Sequence, residues 1–140
     1  MPYRVLLSKK EGLGVVELSG EVDWGDLGAA MRTLYGHPDW EPGFSTLWDA
    51  RAITSFHVFP EDFPAVQASF EAAARARGEG GTSAIAAREG DEALWVLFPK
   101  LGPPTRRRVG VFTQLEEALA FLGRAALPEN AALVATSDGS

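Results

Sequence analysis

The residue types best suited to chemistry gather between positions 49 and 62. Asp49 and Arg51 stand two apart at the end of an apolar run, Phe44-Ser45-Thr46-Leu47-Trp48. Ser55 and His57 follow, and Glu61 and Asp62 close the segment. A carboxylate and a guanidinium at this spacing either pair with each other on the surface, for under ~1 kcal/mol, or orient a ligand if a pocket holds them. His57 with Glu61 and Asp62 supplies metal-ligand types, although such groups on a loop are usually solvated. A catalytic histidine needs a nucleophile held beside it. Ser55 is two residues from His57, a spacing that is not expected to bring its hydroxyl within reach. His37, the other histidine, sits in a turn before Pro38. The chain has no Cys, which removes thiol nucleophiles, disulfides and Cys-ligated metals together. Gly78-Glu79-Gly80-Gly81 precedes a strand pattern, not a helix, so it does not read as a phosphate cradle. With no nucleophile–base pair, metal set or cofactor loop, the expectation is a non-enzymatic protein without cofactor or metal.

Two apolar groups suggest binding instead. Trp48, Phe56, Phe59 and Phe63 cluster around the start of a helical pattern. They form either core or a greasy pocket near the strand ends that admits a lipid-like ligand. With Asp49, Arg51 and His57 they make up the expected ligand- or partner-binding surface. Leu94-Trp95-Val96-Leu97-Phe98 leaves no polar side on its helix, whereas a surface helix shows one. That helix is either buried in the domain or shared with a second copy, and the expectation is a homodimer through Leu94, Trp95 and Phe98. Arg106-Arg107-Arg108 is a basic run in an acidic chain. It keeps a sheet edge solvated or docks an acidic partner.

The elements that must position these residues follow from periodicity and turn chemistry. Residues 3–8 and 13–19 read as strands joined by the polar turn Lys9-Lys10-Glu11-Gly12, hence an antiparallel hairpin. Asp23 suits a helix N-cap, and Leu27, Ala30, Met31 and Leu34 recur at helical spacing until Gly36-His37-Pro38. Residues 44–48 form a third strand, and 51–58 connect it to a helix capped by Asp62. Val66, Phe70 and Ala73 mark that helix's buried stripe, and it runs to about Arg77. Residues 82–87 form a fourth strand, a third helix runs from Asp91 to about Pro99, and Gly102-Pro103-Pro104 breaks the chain. Residues 107–112 form a fifth strand, and Thr113 to Glu116 has the form of a capping box before Leu115, Ala118, Leu119 and Leu122. Residues 125–140 read as a weakly ordered tail after a single domain, 1–124. The order ββαβαβαβα implies an α/β fold with a five-stranded, mostly parallel sheet, an antiparallel first strand and about four helices. Glu21, Asp23, Asp49, Arg51, Arg88, Glu89, Asp91, Thr113 and Gln114 are expected on one rim, at the C-terminal strand ends where α/β sheets bind ligands.

Bulk properties agree. The chain's 140 residues suit one core, and 46% hydrophobic content argues against disorder. A net charge of -6 argues against nucleic acid, whose phosphates need a basic surface. No apolar run approaches the ~20 residues that span a bilayer, and a cytoplasmic location is expected.

Val16-Glu-Leu-Ser-Gly-Glu-Val-Asp23, Thr46-Leu-Trp-Asp-Ala-Arg51, and Val109-Gly-Val-Phe-Thr113 leading into Glu116-Glu-Ala-Leu-Ala-Phe-Leu122 carry a resemblance. In this order they resemble the STAS domains of bacterial anti-sigma-factor antagonists, over about residues 3–123. They look closer still to uncharacterised bacterial relatives grouped with both STAS and the CRAL-TRIO lipid-binding fold. The resemblance implies a regulatory module that works by contacting a protein partner. In those antagonists a kinase phosphorylates a Ser that follows an Asp after the third strand. The corresponding positions here fall near His57 and Val58, with no Asp-Ser pair, so that switch is not carried over.

Overall fold

The computed structural model describes residues 2–57, 59–101, 107–129 and 131–136. Along the chain lie β1 (Tyr3–Ser8), β2 (Leu13–Asp23), α1 (Trp24–Tyr35), β3 (Ser45–His57), α2 (Phe63–Arg77), β4 (Thr82–Ala87), α3 (Glu92–Leu97), β5 (Arg108–Phe112), α4 (Leu115–Phe121) and β6 (Ala132–Thr136). Short 3₁₀ turns span Pro60–Asp62 and Phe98–Leu101. Among the described residues six strands form one sheet in the order β5-β4-β3-β2-β1-β6. β2 to β5 run parallel, β1 is antiparallel to β2, and β6 is antiparallel to β1. The mixed α/β sheet with four helices is as expected, but the count of five strands is not. Ala132–Thr136, placed in the tail by the sequence pattern, pairs with Arg4–Leu7 and becomes the sixth strand. Its alternation was too short and too Ala-rich to read alone, and the exposed edge of β1 supplies the missing hydrogen bonds.

The sheet divides the helices unequally. Val16, Leu18, Trp48, Ala50, Ile85 and Ala87 turn toward α1 and its neighbours. Leu13, Val15, Leu47, Ala84 and Ala86 turn the other way, against Ala118 and Leu119 of α4. This alternation is the two-residue period of a sheet covered on both sides. Asp23 caps α1 as expected: its Oδ1 accepts from Asp26 N at 2.9 Å, and Asp26 Oδ2 accepts from Asp23 N at 3.0 Å. Partial burial, with repulsion from Asp23, holds the Asp26 carboxyl above its usual range against the pull of that backbone bond. The capping box expected at Thr113 does not form. α4 starts one residue later, from Gln114, without a side-chain cap.

β2 and β3 run past the rest of the sheet. β2 has 11 residues and β3 has 13, and they stay paired out to Asp23↔His57. The segment expected to connect β3 to α2 is therefore strand. β4 stops at Ala87, opposite Ala50, and leaves later carbonyls of β3 without a strand partner on that side. Arg88 takes over: its Nη1 donates to Ile53 O at 3.0 Å and Thr54 O at 2.8 Å, while Asp91 accepts from its Nε at 3.0 Å. One guanidinium thus ties the ribbon to the start of α3.

α2 packs differently from the other helices. Only Val66 is fully buried, and the helix leans on α1 and the Phe98–Leu101 turn. Toward the sheet it presents Phe70 flanked by the small side chains of Ala73 and Ala74, which cannot fill the space beneath them. No helix among the described residues is long and apolar enough to cross a membrane.

Candidate functional site: a cavity under the second helix

Three places in the structure bear on function, and Asp49 with Arg51 forms one apart from the tip that carries Glu21. Asp49 lies within β3, opposite Glu17 and Ala86, and not at the strand's end. It shares the α4 face with Leu47 and Arg51. There it closes on Arg51 in a two-pronged pair, Nε to Oδ1 and Nη2 to Oδ2, each 2.9 Å. The bond to Asp49 holds the Arg51 guanidinium above its ordinary pKa, partial burial opposes it, and Asp49 and Glu116 add attraction. With both groups spent on each other, the pair stabilises the surface and offers no open donor fork.

The second place is the tip of the β2–β3 ribbon. Contrary to the sequence expectation, Ser55 reaches His57: Ser55 Oγ lies 3.0 Å from His57 Nε2. Residues two apart on a strand share a face, a relation that a connecting loop would not impose. Glu21 Oε1 from the neighbouring strand stands 3.8 Å from the same Nε2. A hydrolytic triad needs the carboxylate on the opposite ring nitrogen, leaving Nε2 to take the nucleophile's proton. Here hydroxyl and carboxylate compete for one nitrogen on an exposed strand end, an arrangement unsuited to acyl transfer. The His57–Glu61–Asp62 group does not converge either: Asp62 turns back to accept from Phe59 N at 3.2 Å. Among the described residues no three His, Asp or Glu side chains gather as a metal site.

The third place was not foreseen. A cavity of about 90 Å³ lies between α2 and the sheet, walled by α1 on one side and by α3 with its following turn on the other. Trp48, Ile85 and Ser83 form its floor, Leu27, Met31 and Tyr35 one wall, Trp95 and Phe98 the other. Val109 of β5 lines it and is 38% exposed, which marks where it meets solvent. Two buried donors among the lining residues have no hydrogen-bond partner: Arg77 Nε and Trp95 Nε1. Unpaired buried donors are rare, and each costs about 1–3 kcal/mol. A larger groove of about 420 Å³ runs outside, between α1 and α2, but small side chains such as Gly28, Ala68 and Ala72 line it and no unpaired buried atom does.

The apolar pocket expected from Trp48, Phe56, Phe59 and Phe63 is therefore corrected in its membership. Trp48 lines the cavity. Phe56 stacks outside it, 5.7 Å from the Trp95 ring and 5.6 Å from Phe98. Phe59 and Phe63 are 53% and 43% exposed, because they lie at the outer end of α2, ahead of its buried Val66. The dimer surface expected from Trp95 and Phe98 is corrected too. Both are 3% exposed, since positions three apart on this short helix turn inward together, and Leu94 is half-buried against the same core. Val96 and Leu97, each 45% exposed, are what the segment shows to solvent.

Arg77 escaped notice in the sequence, although a signal existed. It continues the Phe70–Ala73 stripe at helical spacing, so a charged residue sits where an apolar one is due. Arg77 is half-buried, whereas Arg107 is fully buried. It donates to Ser83 Oγ and Gly80 O at 2.6 Å, and to Phe44 O and Thr46 Oγ1 at 2.9 Å. The basic run thus contributes an internal clasp through Arg107; Arg108 faces outward over the Phe121 ring, and Arg106 lies outside the described residues.

No protein-family model matches the chain, and no curated protein matches it.

Proposed function

We propose that this protein binds a small, largely apolar molecule, as a carrier or sensor and not as an enzyme, on a STAS-like α/β frame. One observation carries the reading: the cavity under α2 is walled by aromatic and aliphatic side chains, and two of its lining residues, Arg77 and Trp95, carry buried N–H donors with no partner. Apolar walls with a few placed polar groups are the make-up of small-molecule sites. The non-enzymatic part rests on the strand-end groups, where Ser55 and Glu21 share one nitrogen of His57.

Native mass spectrometry of protein purified without organic solvent tests this. An adduct released on denaturation, and lost in Ala73→Leu, which fills the cavity from α2, is the expected result. Protein that carries no adduct, and whose tryptophan emission ignores added apolar probes, would rule the reading out.

A second reading, a module that meets a regulatory protein or a second copy, draws on the exposed Phe59, Phe63, Val96 and Leu97. Exposed large apolar side chains on one molecule are common singly, so this reading ranks behind the cavity.

A further inference from the structure

The cavity has two chemically different ends. Phe70 and Arg77 both line it from α2. Seven residues of helix separate them by about 10 Å along the axis. The Trp95 ring lies 5.3 Å from Phe98, and Phe98 lies 6.0 Å from Phe70, so Trp95 belongs to the Phe70 end. Arg77 belongs to the opposite end with Tyr35, whose ring centre is 6.0 Å from the guanidinium carbon. Ser83, which also lines the cavity, accepts from Arg107 Nε, so a second guanidinium stands behind the wall there. Burial pushes the Arg107 pKa down to about 10, Tyr35 opposes this, and the charge of Arg77 lowers it further. Positive charge therefore collects at one end of a poorly screened space, while the other end holds a neutral indole. Met31, Trp48 and Ile85 lie among the apolar lining.

We infer that the ligand is a small organic acid whose carboxylate accepts from the Arg77 guanidinium and whose apolar body runs along Met31 and Trp48 toward Trp95. A carboxylate supplies a counter-charge and acceptors for the half-buried guanidinium at this end. The volume limits the body. At about 90 Å³ the cavity is smaller than the ~150 Å³ space that takes a benzene ring. A slender aliphatic chain suits it better than a ring. This inference rests on the cavity being a ligand site, and the test separates the two.

Butanoate, hexanoate and octanoate are titrated into the full-length protein beside the primary alcohols of equal chain length. Tryptophan emission, to which Trp48 and Trp95 contribute from the cavity wall, and Tm report binding. The acid is expected to bind about tenfold or more tightly than its matched alcohol. Arg77→Gln removes that preference and leaves alcohol affinity unchanged, and Arg77→Lys retains part of it. If the alcohol binds wild-type protein as tightly as the acid, the carboxylate inference falls while the ligand-site reading stands. If neither shifts emission or Tm, the ligand-site reading falls and takes this inference with it. Should Arg77→Gln not fold, the acid–alcohol comparison on wild-type protein decides alone.

Discussion

At the scale of single residues, Arg107 does more for this molecule than any member of the expected rim. Its guanidinium joins the start of β3, the start of β4 and the glycine loop before it. That loop must be glycine for a local reason. Gly81 has φ +74°, and a Cβ there would stand 2.5 Å from Phe44 O and 2.7 Å from Arg107 Nη1. The glycine run reads in sequence as a simple break; folded, it makes room for a buried cation. Arg107→Met removes the cost of burying a charge but strands five oxygens that now accept from it, so a net loss of about 3 kcal/mol is expected by urea unfolding. The pH dependence follows from the direction of the shift. A guanidinium lowered to about 10 in the folded protein, below its ordinary value in the unfolded chain, weakens the fold by a constant amount at any pH below both values, and that penalty lifts only as pH rises through about 10. The measured loss in Arg107→Met should thus be equal at mildly acidic and mildly alkaline pH; a loss confined to one side would contradict this account. Asp49 and Arg51, by contrast, were legible in sequence as a pair, and an exposed pair is worth little.

At the scale of elements, the ribbon of β2 and β3 was the largest surprise. Asp49 and Arg51 read as the polar end of a strand, yet Ile53, Thr54 and Phe56 are strand formers and carry β3 on to His57. Local sequence cannot choose between a strand and a connecting loop here, because the choice depends on whether β2 lies alongside. Once it does, Ser55 and His57 fall on one face, and a contact that spacing alone does not demand is formed. Arg88 secures the other side of the ribbon by replacing a strand that has ended. Arg88→Ala should leave the Ile53 and Thr54 carbonyls without their charged donor, at a cost of about 1.5–3 kcal/mol. Amide exchange should quicken over residues 52–57 while β1 and the outer part of β4 stay protected; uniform acceleration across the sheet would argue instead for general destabilisation.

At the scale of the whole molecule, α2 reaches the core through Val66 and Phe70, but its Ala73 and Ala74 leave space beneath them, and the cavity lies there. The same packing turns Trp95 and Phe98 inward, so a contact between copies through the α3 segment would use Val96 and Leu97. Sedimentation equilibrium at micromolar concentration tests this: a dimer that Leu97→Asp dissolves is expected if copies meet there, and a monomeric wild type excludes it. What the amino-acid sequence determined by itself was local: the hairpin, the Asp23 cap, the helical stripes and the parallel α/β order, each set by periodicity and turn chemistry within a few residues. What only the tertiary structure decided was relational. The sixth strand needed an open edge on β1, the ribbon needed two strands side by side, and the cavity needed two layers that meet only in part. Side chains from α1, β3, β4, α2 and α3 enclose that space, and no window of the chain contains them together, because burial is a property of the packed layers and not of neighbouring residues.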